Sequence, residues 1–164
     1  MIPLPDPPLR SGDLVLRPWR LDDAPALAAA WADDEIQRWT AVPERRDLAV
    51  AERWIAGDAV RRERGLSWDL AVERGGDVVG EVGFVPYDAD AGIVELGWWV
   101  APEQRGRHIA STAARLLAEW VQAALALSVV ARCDPANPAS VAVATNAGLH
   151  LGWTDDAGEV WVRP

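Results

Sequence analysis

Between residues 67 and 100 three strand-like runs follow one another with only short turn signals between them, and a long amphipathic helix comes next. The runs are Ser67–Glu73 (SWDLAVE), Asp77–Val85 (DVVGEVGFV) and Gly92–Val100 (GIVELGWWV). Gly75-Gly76-Asp77 is a hairpin signal between the first two, and Asp88 to Gly92 turns between the second and third. Turns this short permit only antiparallel neighbours, so the runs form a meander. Arg107 to Leu127 then carries Ile109, Ala113, Leu116, Leu117, Trp120, Val121 and Ala124 at helical spacing. That stripe needs an apolar face to pack on, and the meander supplies one.

The flanks extend the same plan. Asp13 to Arg17 alternates as a first strand; Asp22 and Asp23 then cap a helix that runs to Ala32, with Pro25 in its first turn. Ile36 to Thr40 reads as a short second helix, and Arg46 to Arg64 as one helix with Val50, Trp54 and Ile55 on its apolar stripe. After the long helix come a strand over Ser128–Cys133, a helix over Pro138–Ala147 ended by Gly148, and two closing strands, Leu149–Trp153 and Glu159–Val162. The expected fold is α/β (α+β): one mixed, mostly antiparallel sheet of six or seven strands flanked by about four helices. Residues 1–164 read as a single domain, and residues 1–10, with prolines at 3, 5, 7 and 8, as an extended arm.

Composition narrows the function classes. The 25 acidic residues against 16 basic ones leave a net charge of -9, the wrong sign for a surface that tracks nucleic-acid phosphates. Every basic residue is an arginine, and there are 10 tryptophans. One cysteine, Cys133, and two histidines far from it have no metal-ligand spacing, so no metal is expected. The uncharged apolar stretch Val121 to Ala131 is too short to span a bilayer, and the start lacks the pattern of a signal peptide. These features predict a cytoplasmic protein, monomer or homodimer, with neither a nucleic-acid nor a membrane partner.

The chemistry concentrates in Val94–Ala110 (VELGWWVAPEQRGRHIA). A strand ends at Val100, Pro102 interrupts pairing, and a helix starts near Arg105. A strand that runs through a glycine into a helix N-terminus offers free backbone N–H groups and partial positive charge to an anion. Arg105, Arg107 and His108 add a positive island to a negative chain. A phosphate-bearing ligand explains that island; simple solvation of the arginines explains it as well.

Arg105-Gly106-Arg107-His108-Ile109-Ala110 resembles the acetyl-CoA pyrophosphate loop of the GCN5-related N-acetyltransferase (GNAT) superfamily, whose pattern is Q/R-x-x-G-x-G/A. Asn137-Pro138-Ala139-Ser140, with Ala147-Gly148-Leu149 after it, resembles that family's second motif. Leu14-Val15-Leu16-Arg17-Pro18-Trp19 and Glu95-Leu96-Gly97-Trp98-Trp99-Val100 resemble its ribosomal-protein N-terminal (RimJ/RimL-type) branch. The resemblance covers about Leu9 to Trp153. His108 departs from it at a place usually held by glycine, Thr145-Asn146 stand where a basic residue is frequent, and no tyrosine follows the second motif.

The resemblance implies a sheet splayed between the fourth and fifth of the strands counted above, and acetyl transfer from acetyl-CoA to an amine. Trp98, Trp99 and Val100 would offer backbone groups to the pantetheine and thioester. Residues Arg105, Gly106, Arg107, His108, Ile109 and Ala110 would hold the pyrophosphate, and Asn137 the pantetheine arm. Alternation puts Glu95, Gly97 and Trp99 on one face, which makes Glu95 the expected base, Glu81 on the adjacent strand its rival, and Ser140 the partner of the leaving thiolate. Asp33, Asp34, Glu35 and Trp39 would frame the acceptor pocket; for the acids, capping the next helix is the competing role. The implied acceptor is a protein N-terminal α-amine. A small aminoglycoside- or polyamine-like amine, or a non-catalytic acyl-CoA-binding module, are the alternatives.

Overall fold

The computed structural model describes residues 2–164. Its strands are β1 (Leu9–Ser11), β2 (Leu14–Pro18), β3 (Trp68–Arg74), β4 (Asp77–Asp88), β5 (Ile93–Val100), β6 (Ser128–Cys133), β7 (His150–Asp155) and β8 (Gly158–Arg163). Its helices are α1 (Ala24–Trp31), α2 (Asp34–Trp39), α3 (Leu48–Ala56), α4 (Asp58–Glu63), α5 (Ile109–Leu125) and α6 (Pro138–Asn146). All strands join one sheet in the order β1-β2-β3-β4-β5-β6-β8-β7.

The meander is as expected: β3, β4 and β5 pair antiparallel in sequence. β5, α5 and β6 then make a strand–helix–parallel strand unit, the connection that returns a chain to the same sheet edge direction. Pairing of β5 with β6 covers only Ile93–Leu96 against Ser128–Ala131. Beyond Leu96 the two strands part, while β6 continues against β8 through Cys133. The expected splay is therefore present, and Gly97 to Val100 have no partner on that side.

The sheet separates two apolar layers. On one face α5 and α6 bury Ile109, Ala113, Leu117 and Val121 against Leu16, Leu70, Val82, Phe84 and Leu96. On the other, the helices before β3 bury Leu27, Trp31, Ile36 and Ile55 against Trp19, Ala71 and Trp99. A fully buried side chain of this size contributes about 1.5–3 kcal/mol, so the two layers hold the sheet from both faces.

Three expectations need correction. The sheet has eight strands, not six or seven, because the expected arm ends in β1, which hairpins onto β2. Gly12, at φ 58°, supplies the left-handed turn residue that a side chain would resist. The described residues contain six helices rather than about four. The single helix expected over Arg46–Arg64 is two, α3 and α4, divided at Gly57, where the poorest non-proline helix former meets Asp58 opening a new first turn.

Candidate active site

Where β5 leaves β6, a cleft of about 420 Å³ opens. The end of β5 contributes Trp98, Trp99 and Val100; the loop and first turn of α5 contribute Arg105, Gly106, His108, Ile109 and Ala110. Asn137 and Ser140 come from the start of α6, and Glu35 and Trp39 from α2. Three stretches distant in sequence, residues 35–40, 98–111 and 137–146, thus meet at one place. Of the residues expected there, Glu95, Arg107, Asp33 and Asp34 do not line the cleft.

The α5 terminus is built for an anion. His108 is its N-cap residue at φ 59°, ψ 16°, and no side chain caps the helix. Ser111 Oγ donates to the His108 carbonyl instead, at 3.1 Å. The first-turn N–H groups of a 17-residue helix are left without a side-chain acceptor, and Ile109, Ala110 and Ser111 lie in the cleft wall. Gly106, at φ 74°, is a second left-handed residue in the loop. The loop therefore needs positive φ at two places, which is the physical reason a glycine suits the position of His108.

Arg105 bridges the two walls. Its Nη2 meets Asp33 Oδ1 at 2.5 Å, and its Nε donates to the Val100 carbonyl at 3.3 Å. Asp33 Oδ1 also accepts from the Ile36 N–H at 3.0 Å, capping α2. Burial pushes the Asp33 carboxyl up, but Arg105 and the Ile36 N–H outweigh it and hold the group below the usual aspartate value. Asp33 is thus the helix cap and an ion-pair partner at the edge of the cleft, while Asp34 is exposed in the first turn of α2. Glu35 accepts from Trp39 Nε1 at 3.0 Å, and Arg38 lies 4.7 Å over the Trp39 ring. Arg107 is exposed beside the loop.

At the start of α6, Asn137 Oδ1 accepts from the Ser140 N–H at 3.1 Å. Ser140 Oγ lies 3.6 Å from Cys133 Sγ, and burial raises the Cys133 thiol above its usual pKa against the pull of Ser140. Sequence reasoning missed Asn146, which lines the cleft with Ala139, Ala142 and Val143. The signal was present: these positions are one face of α6 at i, i+3, i+4 and i+7. They are small or polar and give the helix no apolar stripe to notice.

Glu95 shares a face of β5 with Gly97 and Trp99, as alternation predicts. It is half-buried, and burial raises its carboxyl above the usual glutamate value; Arg132 pulls the other way and Asp155 adds to the rise. Gly97 is exposed, with no atom within 4 Å of where a Cβ would stand. Glu95 therefore looks onto an open strip of sheet that leads to Trp99 at the cleft. Glu81 lies opposite Trp99 in the β4–β5 register and accepts from Trp99 Nε1 at 3.0 Å. Burial, then the nearby Asp69, push its carboxyl up to about 8. Among the described residues there is no group of three or more metal-ligating side chains, and no helix is long and apolar enough to cross a membrane.

The fold has known counterparts. The family model for the acetyltransferase (GNAT) domain matches residues 13–150. The chain is 26% identical over 131 residues to the uncharacterized N-acetyltransferase p20 of Bacillus licheniformis, covering 78% of this chain and 74% of that protein. It superposes on the acetyltransferase from Agrobacterium tumefaciens str. C58 with a TM-score of 0.76 at 26% identity, covering 100% of this chain and 98% of the other. Mycobacterium smegmatis RimJ, solved in complex with CoA-disulfide, aligns with a TM-score of 0.78 at 22% identity, over 94% of this chain and 83% of that one. With the matched domain spanning most of its length, this chain belongs to the GNAT family and is an acetyltransferase.

Proposed function

We propose that the protein moves an acetyl group from acetyl-CoA directly to a primary amine, and that the amine is a protein N-terminal α-amine. The observation that carries the reading is the α5 N-terminus, uncapped by any side chain and opening into the cleft at the point where β5 has lost its neighbour. The residues present fit acetyl-CoA. The first-turn N–H groups of α5, with Arg105 and Arg107 nearby, would take the pyrophosphate. The unpaired edge of β5 from Gly97 to Val100 presents backbone groups that need a partner, and an extended pantetheine arm offers one. Acetyl-CoA supplies the activated acyl group; the protein supplies position, charge and a proton acceptor.

Glu95 would take the amine proton, through water where the distance requires it. Its raised pKa makes it a better base than an exposed glutamate, and the open strip over Gly97 gives a path from its carboxyl toward Trp99. Ser140 would bond beside the thiolate sulfur once its hydroxyl turns from Cys133. Glu35 and Trp39 would form the acceptor side of the cleft. The RimJ/RimL-type motifs point to a peptide amine.

Two measurements test the reading. Calorimetric titration with coenzyme A should show binding that Arg107→Glu weakens by roughly tenfold, since a positive charge near the phosphates is replaced by a negative one; unchanged affinity would remove the loop assignment. A thiol-release assay should show turnover with peptides bearing free N-termini. Turnover confined to small polyamines or aminoglycosides would replace the peptide acceptor, and coenzyme A binding without turnover on any amine would indicate a binding module.

A further inference from the structure

Beneath the Trp99 wall of the cleft lies a cluster of charged side chains that the proposed reaction does not use. Asp69 on β3 is opposite Gly83 of β4, and a Cβ on Gly83 would stand 2.7 Å from Asp69 Oδ1. The absence of a side chain there lets the Asp69 carboxyl lie over the strand beside Glu81. Asp69 accepts from Ser67 Oγ at 2.6 Å and lies 3.8 Å from Arg61 Nε. From α4, Arg61 and Arg62 pair with Asp58 at 3.9 Å and 3.0 Å. These side chains are mostly buried, and three carboxyl groups face two guanidinium groups. One proton on the carboxyls balances the cluster.

Burial pushes the carboxyls of both Glu81 and Asp69 up, and Glu81 is the more deeply buried of the pair. Its Oε1 takes the Trp99 indole N–H, while Oε2 is buried with no hydrogen-bond partner. Arg61 Nε and Nη2 and the Trp19 indole nitrogen are also buried without one. A carboxylate at this place would face Asp69, with the indole N–H groups and the charge of Arg61 set against burial, whereas a neutral acid keeps the bond to Trp99 at smaller desolvation cost. The Trp99 ring is the last of a connected series. It lies 6.3 Å from Trp19, which meets Trp54 edge-on at 6.0 Å, and Trp54 meets Trp31 edge-on at 6.0 Å. Arg61 sits 3.9 Å over the Trp54 ring. The rings link the end of β5 to α1 and α3, and Glu81 holds the member that forms the cleft wall.

We propose that Glu81 is a positioning residue for the cleft: its hydrogen bond anchors the Trp99 indole to the sheet, and with Asp69 it forms a carboxyl pair under the cleft wall. Titration of Glu81 against Asp69, Asp58, Arg61 and Arg62 then makes that wall sensitive to alkaline pH. The cofactor arm of the test rests on the acetyl-CoA reading; the spectroscopic arm does not.

The full chain is titrated by NMR from pH 6 to pH 9.5, following the Trp99 indole N–H assigned by its loss in Trp99→Phe. In the wild type this resonance should shift with a midpoint near 8. In Glu81→Gln, which keeps an acceptor for the indole and cannot ionise, it should not shift in that range. A resonance that ignores pH in the wild type, or moves equally in both proteins, overturns the proposal. Coenzyme A affinity is measured at pH 7 by calorimetry. Glu81→Ala should bind at least about fivefold more weakly, the scale of one lost hydrogen bond, and Glu81→Gln should recover most of the loss. Wild-type affinity in Glu81→Ala overturns the positioning role. Should Glu81→Ala fail to fold, the comparison of wild type with Glu81→Gln still decides. Absence of coenzyme A binding in the wild type refutes the acetyl-CoA reading and leaves the NMR arm to judge Glu81.

Discussion

His108 shows how much a single backbone angle explains. The left-handed conformation costs a residue with a side chain about 1–2 kcal/mol, and His108 sustains it at φ 59° at the head of α5. The motif identified this residue as unusual, but only the dihedral shows that the loop bends as it would with glycine. Glu95 is the second residue whose meaning changed. Alternation placed it with Gly97 and Trp99; the register confirms that face through the pairs Glu81–Trp99, Gly83–Gly97 and Val85–Glu95. Alternation had no access to Arg132 and Asp155, which reach the same face from β6 and from the hairpin of β7 and β8 and pair at 2.6 Å. Glu95→Gln should lower kcat by roughly 100-fold or more at neutral pH, the usual worth of a general base, with coenzyme A affinity kept. The wild-type rate should rise with pH through a carboxyl pKa above the usual glutamate value, because only the ionised form accepts a proton, and the variant should lack that rise. Identical pH–rate profiles would exclude Glu95 as the base.

At the scale of elements, the contact between Arg105 and Asp33 joins two pieces that the sequence describes separately. One is a loop feeding α5; the other is the cap of α2. The ion pair ties the α5 side of the cleft to the α2 side, and it occupies the arginine proposed for the pyrophosphate. Asp33→Asn separates the two roles of the residue, since asparagine caps a helix as well as aspartate does while the charge is lost. A part-exposed pair of this kind is worth about 0–1 kcal/mol, so the variant should bind coenzyme A about two- to fivefold more tightly at unchanged melting temperature. Weaker binding by calorimetry would mean that Asp33 orients Arg105 for the cofactor rather than competing for it. The same scale explains the misread helix. Val50, Trp54 and Ile55 make a continuous stripe through α3, and the stripe says nothing about Gly57, whose position matters only because α4 must turn to bring Arg61 and Asp58 beneath Trp54.

For the whole molecule, Arg17 is a buried cation that ties β2 to the turn before α1 and to β3. It is buried on β2, donates to Asp23 Oδ2 and Oδ1 at 2.7 Å and 2.9 Å, and meets Glu73 of β3 at 2.5 Å. Burial pushes the Asp23 carboxyl up, but Arg17 and the Arg20 N–H outweigh it and hold the group below the usual aspartate value. A depressed carboxyl pKa contributes stability above the unfolded value and loses it as pH falls through the folded one. Arg17→Ala takes the buried cation from Asp23 and leaves Glu73 only Arg20 at 3.7 Å, and should cost about 3–5 kcal/mol. For a domain of this size that corresponds to a fall in Tm of roughly 6–20 °C. The fall should shrink below pH 4 as Asp23 protonates; a constant difference between pH 3 and pH 7 would show that packing, not charge, is what Arg17 contributes. The net charge of -9 hides this arrangement, as it hides the positive island at the α5 loop.

Local pattern was enough for much of this. Period-two alternation and short turns set the meander, helical spacing set α5, and the ordered motifs from Leu14 to Leu149 identified the family, because each of these signals depends on neighbours within a few residues. The resemblance implied the splay; the tertiary structure alone decided that it begins after Leu96, that Arg105 reaches Asp33, and that Glu81 lies under Trp99 with Asp69 beside it. Those relations depend on strand register and on which side chains share a low-dielectric space. Composition and periodicity carry no record of either, since two residues far apart in sequence come to share such a space only when the chain packs.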